Sequence, residues 1–265
     1  MTEINQPRVS RADCGLLLLR VAGLLLVATA GWEKVRDLLV AFHAGKPLAS
    51  VGLTPLITKM GFPLPFWCAL YVVASESLGA TFIALGLFTR VAALCAAMSM
   101  TGAFYTSMRF GWEPLRAFIY LFIFVSVAVA GAGRFSLDSR YIKWQVVSSS
   151  VDAGILILRA GLLTFFVLLL TLKKVNAMGS FAVGSAVVLL VIATCLAVPV
   201  ILGYFTRPLA IISCGLWAFG AVGNLIAGQK WDLFPYRDVL VFLLFLVLAV
   251  TGPGRYSLSG FRQRQ

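Results

Sequence analysis

The feature that most constrains this chain is a series of apolar runs of about 18 to 25 residues, because a helix rising 1.5 Å per residue needs about 20 to cross a hydrocarbon core of roughly 30 Å. Eight runs are read, at 14–32, 66–88, 91–108, 115–133, 153–172, 181–204, 208–227 and 238–252. They are apolar on every face, unlike the alternating strands of about 10 residues that build a membrane barrel. Composition agrees, with 60% of the 265 residues hydrophobic and 12% charged, where a soluble domain is about a quarter charged. The expected fold is therefore all-α and integral to a membrane, with eight spans and both termini on one side. Arg8 and Arg11 ahead of the first run, and Ala28-Thr29-Ala30 near its end, imitate a signal peptide. The expectation is that this run is retained as the first span.

A net charge of +12 would suggest nucleic acid in a soluble protein. Here the basic residues stand at the ends of apolar runs, where they meet lipid headgroups. Lys and Arg divide ten to ten between the two sides, so the rule that places positive loops in the cytoplasm does not choose an orientation. Cytoplasmic termini in a bacterial cytoplasmic membrane are the expectation.

Three landmarks recur in the same order. Gly15-Leu16-Leu17-Leu18-Leu19-Arg20 returns as Gly154-Ile155-Leu156-Ile157-Leu158-Arg159, and Gly86-Leu87-Phe88-Thr89-Arg90 returns as Gly203-Tyr204-Phe205-Thr206-Arg207. Gly131-Ala132-Gly133-Arg134-Phe135-Ser136-Leu137 returns as Gly252-Pro253-Gly254-Arg255-Tyr256-Ser257-Leu258. The offsets are 139, 117 and 121, so the second copy is shorter by 22 residues, lost from the loop after its first helix. The expected organisation is two four-helix units, 1–145 and 146–265. An even number of spans per unit makes them parallel repeats, unlike the inverted pairs of many transporters. Gly133 and Gly254 are expected to end helices with positive φ, letting Arg134 and Arg255 reach the last carbonyls.

With Leu-Leu-Leu-Leu-Arg opening the first span, Trp32-Glu33-Lys34-Val35 closing it, Glu76 in the second, Gly-Leu-Phe-Thr-Arg at the turn and Gly-Arg-Phe-Ser-Leu-Asp after the fourth, the chain resembles the DoxX family. The resemblance covers nearly the whole chain, as two DoxX-like units. It implies a membrane subunit associated with a quinone-linked or other redox complex, a partner of redox proteins. The second unit departs from the pattern, with Ala193 near the position of Glu76 and Ser259 at that of Asp138.

Three ionisable residues lie well inside the runs, Arg20, Glu76 and Arg159. A charge at the bilayer centre costs at least ~2.5 kcal/mol, so each needs a partner, water or a route to the interface. Arg20 lies about 9 Å deep and Glu76 about 15 Å from the opposite face. The expectation is that they form a buried pair, serving either as a packing latch, with snorkelling of Arg20 as a variant, or as a quinone or proton site. Arg159 either reaches Glu76 across the units or holds an anionic lipid or ligand headgroup.

On the side opposite the termini, Trp32, Lys34, His43, Trp112, Glu113, Trp231 and Asp232 form a candidate docking face or a lipid anchor. The segment with Leu38, Leu39, Val40 and Phe42 is expected as an interfacial amphipathic helix. His43 is the one histidine, which excludes a bis-histidine haem and leaves no typical metal site. The five cysteines include no Cys-x-x-Cys, and no phosphate loop or nucleotide fingerprint is present. The expected ligands are lipid and quinone, with no metal. Besides the accessory redox subunit, two readings stay open: an assembly subunit without small-molecule chemistry, and a transporter of a small anion or lipid.

Overall fold

The computed structural model describes residues 10–47, 50–112, 114–142, 148–171, 195–226 and 234–257. The regular secondary structure among them is helical, with no strand. The helices are α1 (Arg11–His43), α2 (Thr54–Lys59), α3 (Pro65–Leu85), α4 (Thr89–Phe110), α5 (Leu115–Ala130), α6 (Ser148–Thr171), α7 (195–202), α8 (Thr206–Ile226) and α9 (Phe234–Thr251). Four stretches are long and apolar enough to cross a membrane: α1, α3, α4 and Ser150–Leu168 of α6. Shorter apolar stretches occupy α5 and Val239–Thr251 of α9. Most of the expected span at 181–204 lies outside the described residues.

The first helix differs from expectation. It does not end with its apolar run at Trp32 but continues to His43, for 33 residues. Its outer part still leaves Leu39, Val40 and Phe42 exposed. The π-turn Val27–Gly31 interrupts it, and a second π-turn, Ser75–Gly79, interrupts α3. Hydroxyls bond back onto carbonyls around both turns: Thr29 to Leu25 at 2.7 Å, Ser75 to Val72 at 3.0 Å and Ser77 to Val73 at 2.6 Å. In a low-dielectric layer such bonds satisfy carbonyls where regular helical pairing is broken.

One hydrophobic core runs from Leu16 and Leu19 of α1, through Ile123 and Phe124 of α5, to Leu244 and Phe245 of α9. Small residues set the closest approaches, as expected where lipid removes any hydrophobic drive between helices. A Cβ on Gly15 of α1 would stand 3.6 Å from Thr251 Cβ of α9. A Cβ on Gly154 of α6 would stand 2.8 Å from Ala130 Cβ of α5, and Ser126 Oγ donates to Gly154 O at 2.8 Å. Gly15 and Gly154 are 139 positions apart, and Ala130 and Thr251 are 121 apart. The contact that α1 makes with α9 therefore has a counterpart between α6 and α5.

Arg20 is 4% exposed and directs its guanidinium at backbone oxygens. Nε donates to Ile83 O at 3.1 Å, Nη2 to Ala84 O at 2.7 Å, and Nη1 to Phe135 O at 2.8 Å and Ala132 O at 3.5 Å. It thus ties α1 to the end of α3 and to the loop after α5. Arg159, also 4% exposed, donates to Pro253 O at 2.9 Å, to Tyr256 O at 3.1 Å, and from both Nε and Nη2 to Ile201 O. Ile201, Pro253 and Tyr256 stand at the sequence offsets of Ala84, Ala132 and Phe135. Gly133 and Gly254 have the expected positive φ, +75° and +68°, and the carbonyls around them are held by Arg20 and Arg159.

Asp13 caps α1 with Ser10 and accepts the Arg134 amide at 3.1 Å, while Asp152 accepts the Arg255 amide at 3.0 Å. Gly86, with φ +72°, turns the chain from α3 into α4 where a Cβ would press on Ser136 and on the Arg20 guanidinium. Gly203, with φ +81°, stands in the same relation to Ser257 and Arg159. Asp138 then caps α4, accepting Phe88 N at 2.7 Å, Thr89 N at 2.9 Å and Thr89 Oγ1 at 2.8 Å. In the second half Thr206 Oγ1 is buried with no hydrogen-bond partner.

Replacing either arginine by lysine removes the planar fork and strands several buried carbonyls. Arg20→Lys and Arg159→Lys are each expected to destabilise the protein by about 3 kcal/mol, read as a fall in the melting temperature of the detergent-solubilised protein. An unchanged melting temperature in both would contradict the clamp.

Candidate functional site

The site grows from the approach of α1 to α3. A Cβ on Gly23 would stand 2.6 Å from Ala80 O, and one on Gly31 would collide with Glu76 O. With glycine at both places the backbones come nearly into contact, and the two π-turns lie side by side. Lys34, one helical turn beyond Gly31, is thereby set against Glu76.

Glu76 is 1% exposed. One carboxylate oxygen forms an ion pair with Lys34 Nζ and the other accepts Ser99 Oγ of α4 at 2.9 Å. A buried carboxylate with a cation and a hydroxyl donor is compensated, while the same group without its cation is strongly destabilising. The expected pair of Arg20 with Glu76 is not formed. Arg20 is spent on carbonyls at the far end of α3, and Arg159 is likewise spent on carbonyls of its own half and does not reach Glu76. Depth is the reason: Arg20 lies level with Ile83 and Ala84, about two helical turns beyond Glu76 along α3, whereas Lys34 lies level with Glu76.

A cleft of about 190 Å³ adjoins the pair. Lys34, Asp37 and Leu38 of α1, Val51 to Thr54 of the following loop, and Phe66, Ala69, Leu70 and Val73 of α3 line it. The Lys34 side chain is 25% exposed, and its ammonium has no other protein acceptor among the described residues. An ammonium carries three donors, so hydrogen-bonding capacity is left over beside a mostly apolar wall. That combination suits a compact apolar group bearing an acceptor oxygen.

Of the residues expected on a docking face, Trp32, His43 and Trp112 are exposed. Trp112 stacks on Phe110, with ring centroids 5.6 Å apart, and Lys59 Nζ lies 5.6 Å from the Phe110 centroid. His43 Nδ1 is 2.7 Å from Leu39 O. Lys34 is a quarter exposed and pairs with buried Glu76. Glu113, Trp231 and Asp232 lie outside the described residues. No cluster of His, Cys, Asp and Glu among the described residues has the arrangement of a metal site.

Sequence reasoning missed Lys34 and Ser99 as partners of Glu76. The available signals were Gly23 and Gly31 on one face of α1, and the Ala92, Ala93, Ala96 and Ala97 stripe of α4 that brings Ser99 into the interior.

Lys34→Met or Glu76→Gln alone is expected to cost about 3 kcal/mol or more, and the double variant less than the sum, because removing both charges leaves neither uncompensated. Unfolding of the four proteins in one detergent measures the coupling. Additive losses would dissolve the pair.

The DoxX family model matches residues 15–109, a stretch that contains Arg20, Lys34, Glu76 and Ser99. "Inner membrane protein YphA" of Escherichia coli (strain K12) is 33% identical over 86 residues, covering 28% of this chain and 59% of that protein. No solved structure matches.

Proposed function

We propose that the chain is an accessory subunit of a redox-linked complex in a bacterial inner membrane, built from two DoxX-like units of which the first carries a site for a quinone head group. The observation that carries this reading is the Lys34 ammonium, held by buried Glu76 and left with spare donors at an apolar cleft. A quinone ring is compact and apolar and bears carbonyl acceptors, so it meets both requirements. Lys34 would hold and orient a carbonyl, Glu76 and Ser99 would fix the ammonium, and the apolar wall would receive the ring. Electrons would come from a carrier on another chain, docked on the face that exposes Trp32, His43 and Trp112. Residues 15–109 match the DoxX family model and the relative is an inner membrane protein, which supports the family and the location.

In this reading the second unit, 146–265, takes the place of a second copy of the first. It supplies the counterpart contact of α6 with α5, and it carries Ala193 near the position of Glu76. One unit then does chemistry and the other completes the core.

The assembly-subunit reading draws on the full commitment of Arg20 and Arg159 to backbone carbonyls. The same commitment weighs against anion or lipid transport through Arg20 and Arg159.

Quinone binding decides between them. Purified protein in nanodiscs is expected to bind a short-chain ubiquinone analogue, and the Lys34→Met/Glu76→Gln double variant to bind it roughly tenfold more weakly. Equal binding by both proteins, or none by the wild type, would remove the quinone site and leave the assembly role.

A further inference from the structure

The two halves close the turn after their second span differently. In the first, the chain passes through Phe88, with φ +44°, into α4, and the two oxygens of Asp138 close that helix end. Oδ1 accepts Phe88 N, and Oδ2 accepts both Thr89 N and Thr89 Oγ1. In the second, Phe205 has the same φ of +44° and Thr206 opens α8. The backbone that aims the donors is repeated. The acceptor is not, since Ser259 stands in the sequence where the first half has Asp138.

Thr206 is 3% exposed, and its Oγ1 has no hydrogen-bond partner. The amides of Phe205 and Thr206 also lack an acceptor among the described residues, which leaves the first turn of α8 without a cap. Charge points the same way. Asp138 acts electrostatically on Arg20, the guanidinium packed beneath Gly86. No described carboxylate acts so on Arg159, which is packed beneath Gly203 in the same way. This corner of the second half therefore gathers a buried guanidinium, three converging donors and the positive end of a helix dipole.

We propose that the N-terminal end of α8 binds a small free carboxylate, one oxygen on Phe205 N and the other on Thr206 N and Oγ1. The burial of Thr206 limits the ligand to the size of acetate or formate, and the exposed side chains of Tyr204 and Phe205 keep the site next to the surface. Bound there, the carboxylate caps α8 as Asp138 caps α4, and it offsets the charge of Arg159. The site lies in the half that lacks the Lys34–Glu76 pair and does not depend on quinone binding.

Thermal unfolding of the detergent-solubilised full chain tests it, with sodium gluconate, whose carboxylate is too bulky to enter, exchanged for sodium acetate at constant ionic strength. The wild type is expected to melt about 3 °C higher in saturating acetate. Thr206→Val is expected to lose most of that rise. In gluconate it is expected to melt no lower than the wild type, because the hydroxyl it removes has no partner there. Ser259→Asp is expected to melt at one temperature in both salts, its own carboxylate standing in for the ligand. No rise in the wild type, or a full rise in either variant, would overturn the proposal. So would an equal rise with chloride, which offers a single acceptor centre where a carboxylate offers two oxygens.

Discussion

A guanidinium inside an apolar layer must find acceptors, and in this protein it finds them in backbone carbonyls that helix ends leave without partners. Arg20 joins the end of α3 to the loop after α5, and Arg159 joins 201 to 253 and 256 in the same way. Each arginine satisfies groups that would otherwise be stranded, and each is satisfied by them. Remove the arginine and the turns at Gly86 and Gly203 lose the group packed beneath them. The cap that Asp138 places on α4 comes from the same loop that Arg20 holds.

The second charged cluster works on the opposite principle. Glu76 and Lys34 meet because glycines at 23 and 31 bring α1 and α3 within backbone contact, so the pair is a consequence of close packing instead of its cause. Arg20 has its donors spread over four carbonyls, whereas Lys34 spends one contact on Glu76 and faces a cleft. A cation used up by the fold is structural. A cation held in place with donors to spare is a binding group.

The sequence made the helical, membrane-spanning character legible through run length alone, and it singled out Arg20, Glu76 and Arg159 because charge in an apolar run is rare. Pairing was not legible. Arg20 and Glu76 looked complementary by depth and sign, yet an arginine can be satisfied by carbonyls, which every residue carries and no pattern marks. Lys34 was hidden for a different reason: its helix outlasts its apolar run, so the stretch from Leu38 to Phe42 reads as a separate interfacial helix where α1 continues to His43. The bonds of Asp13 and Asp152 to the amides of Arg134 and Arg255 span more than a hundred residues and follow from packing, so no local pattern marks them.

The two halves pack through reciprocal contacts, α1 on α9 and α6 on α5. A cysteine pair tests the first of these directly, because a disulfide needs Cβ atoms about 3.5–4.5 Å apart and Gly15 and Thr251 offer 3.6 Å. With the five native cysteines replaced and a protease site placed within 143–147, the Gly15→Cys/Thr251→Cys protein is oxidised in the membrane and cleaved. Its halves are expected to migrate together on a denaturing gel until reductant is added. Halves that separate without reductant would contradict the packing of α1 on α9.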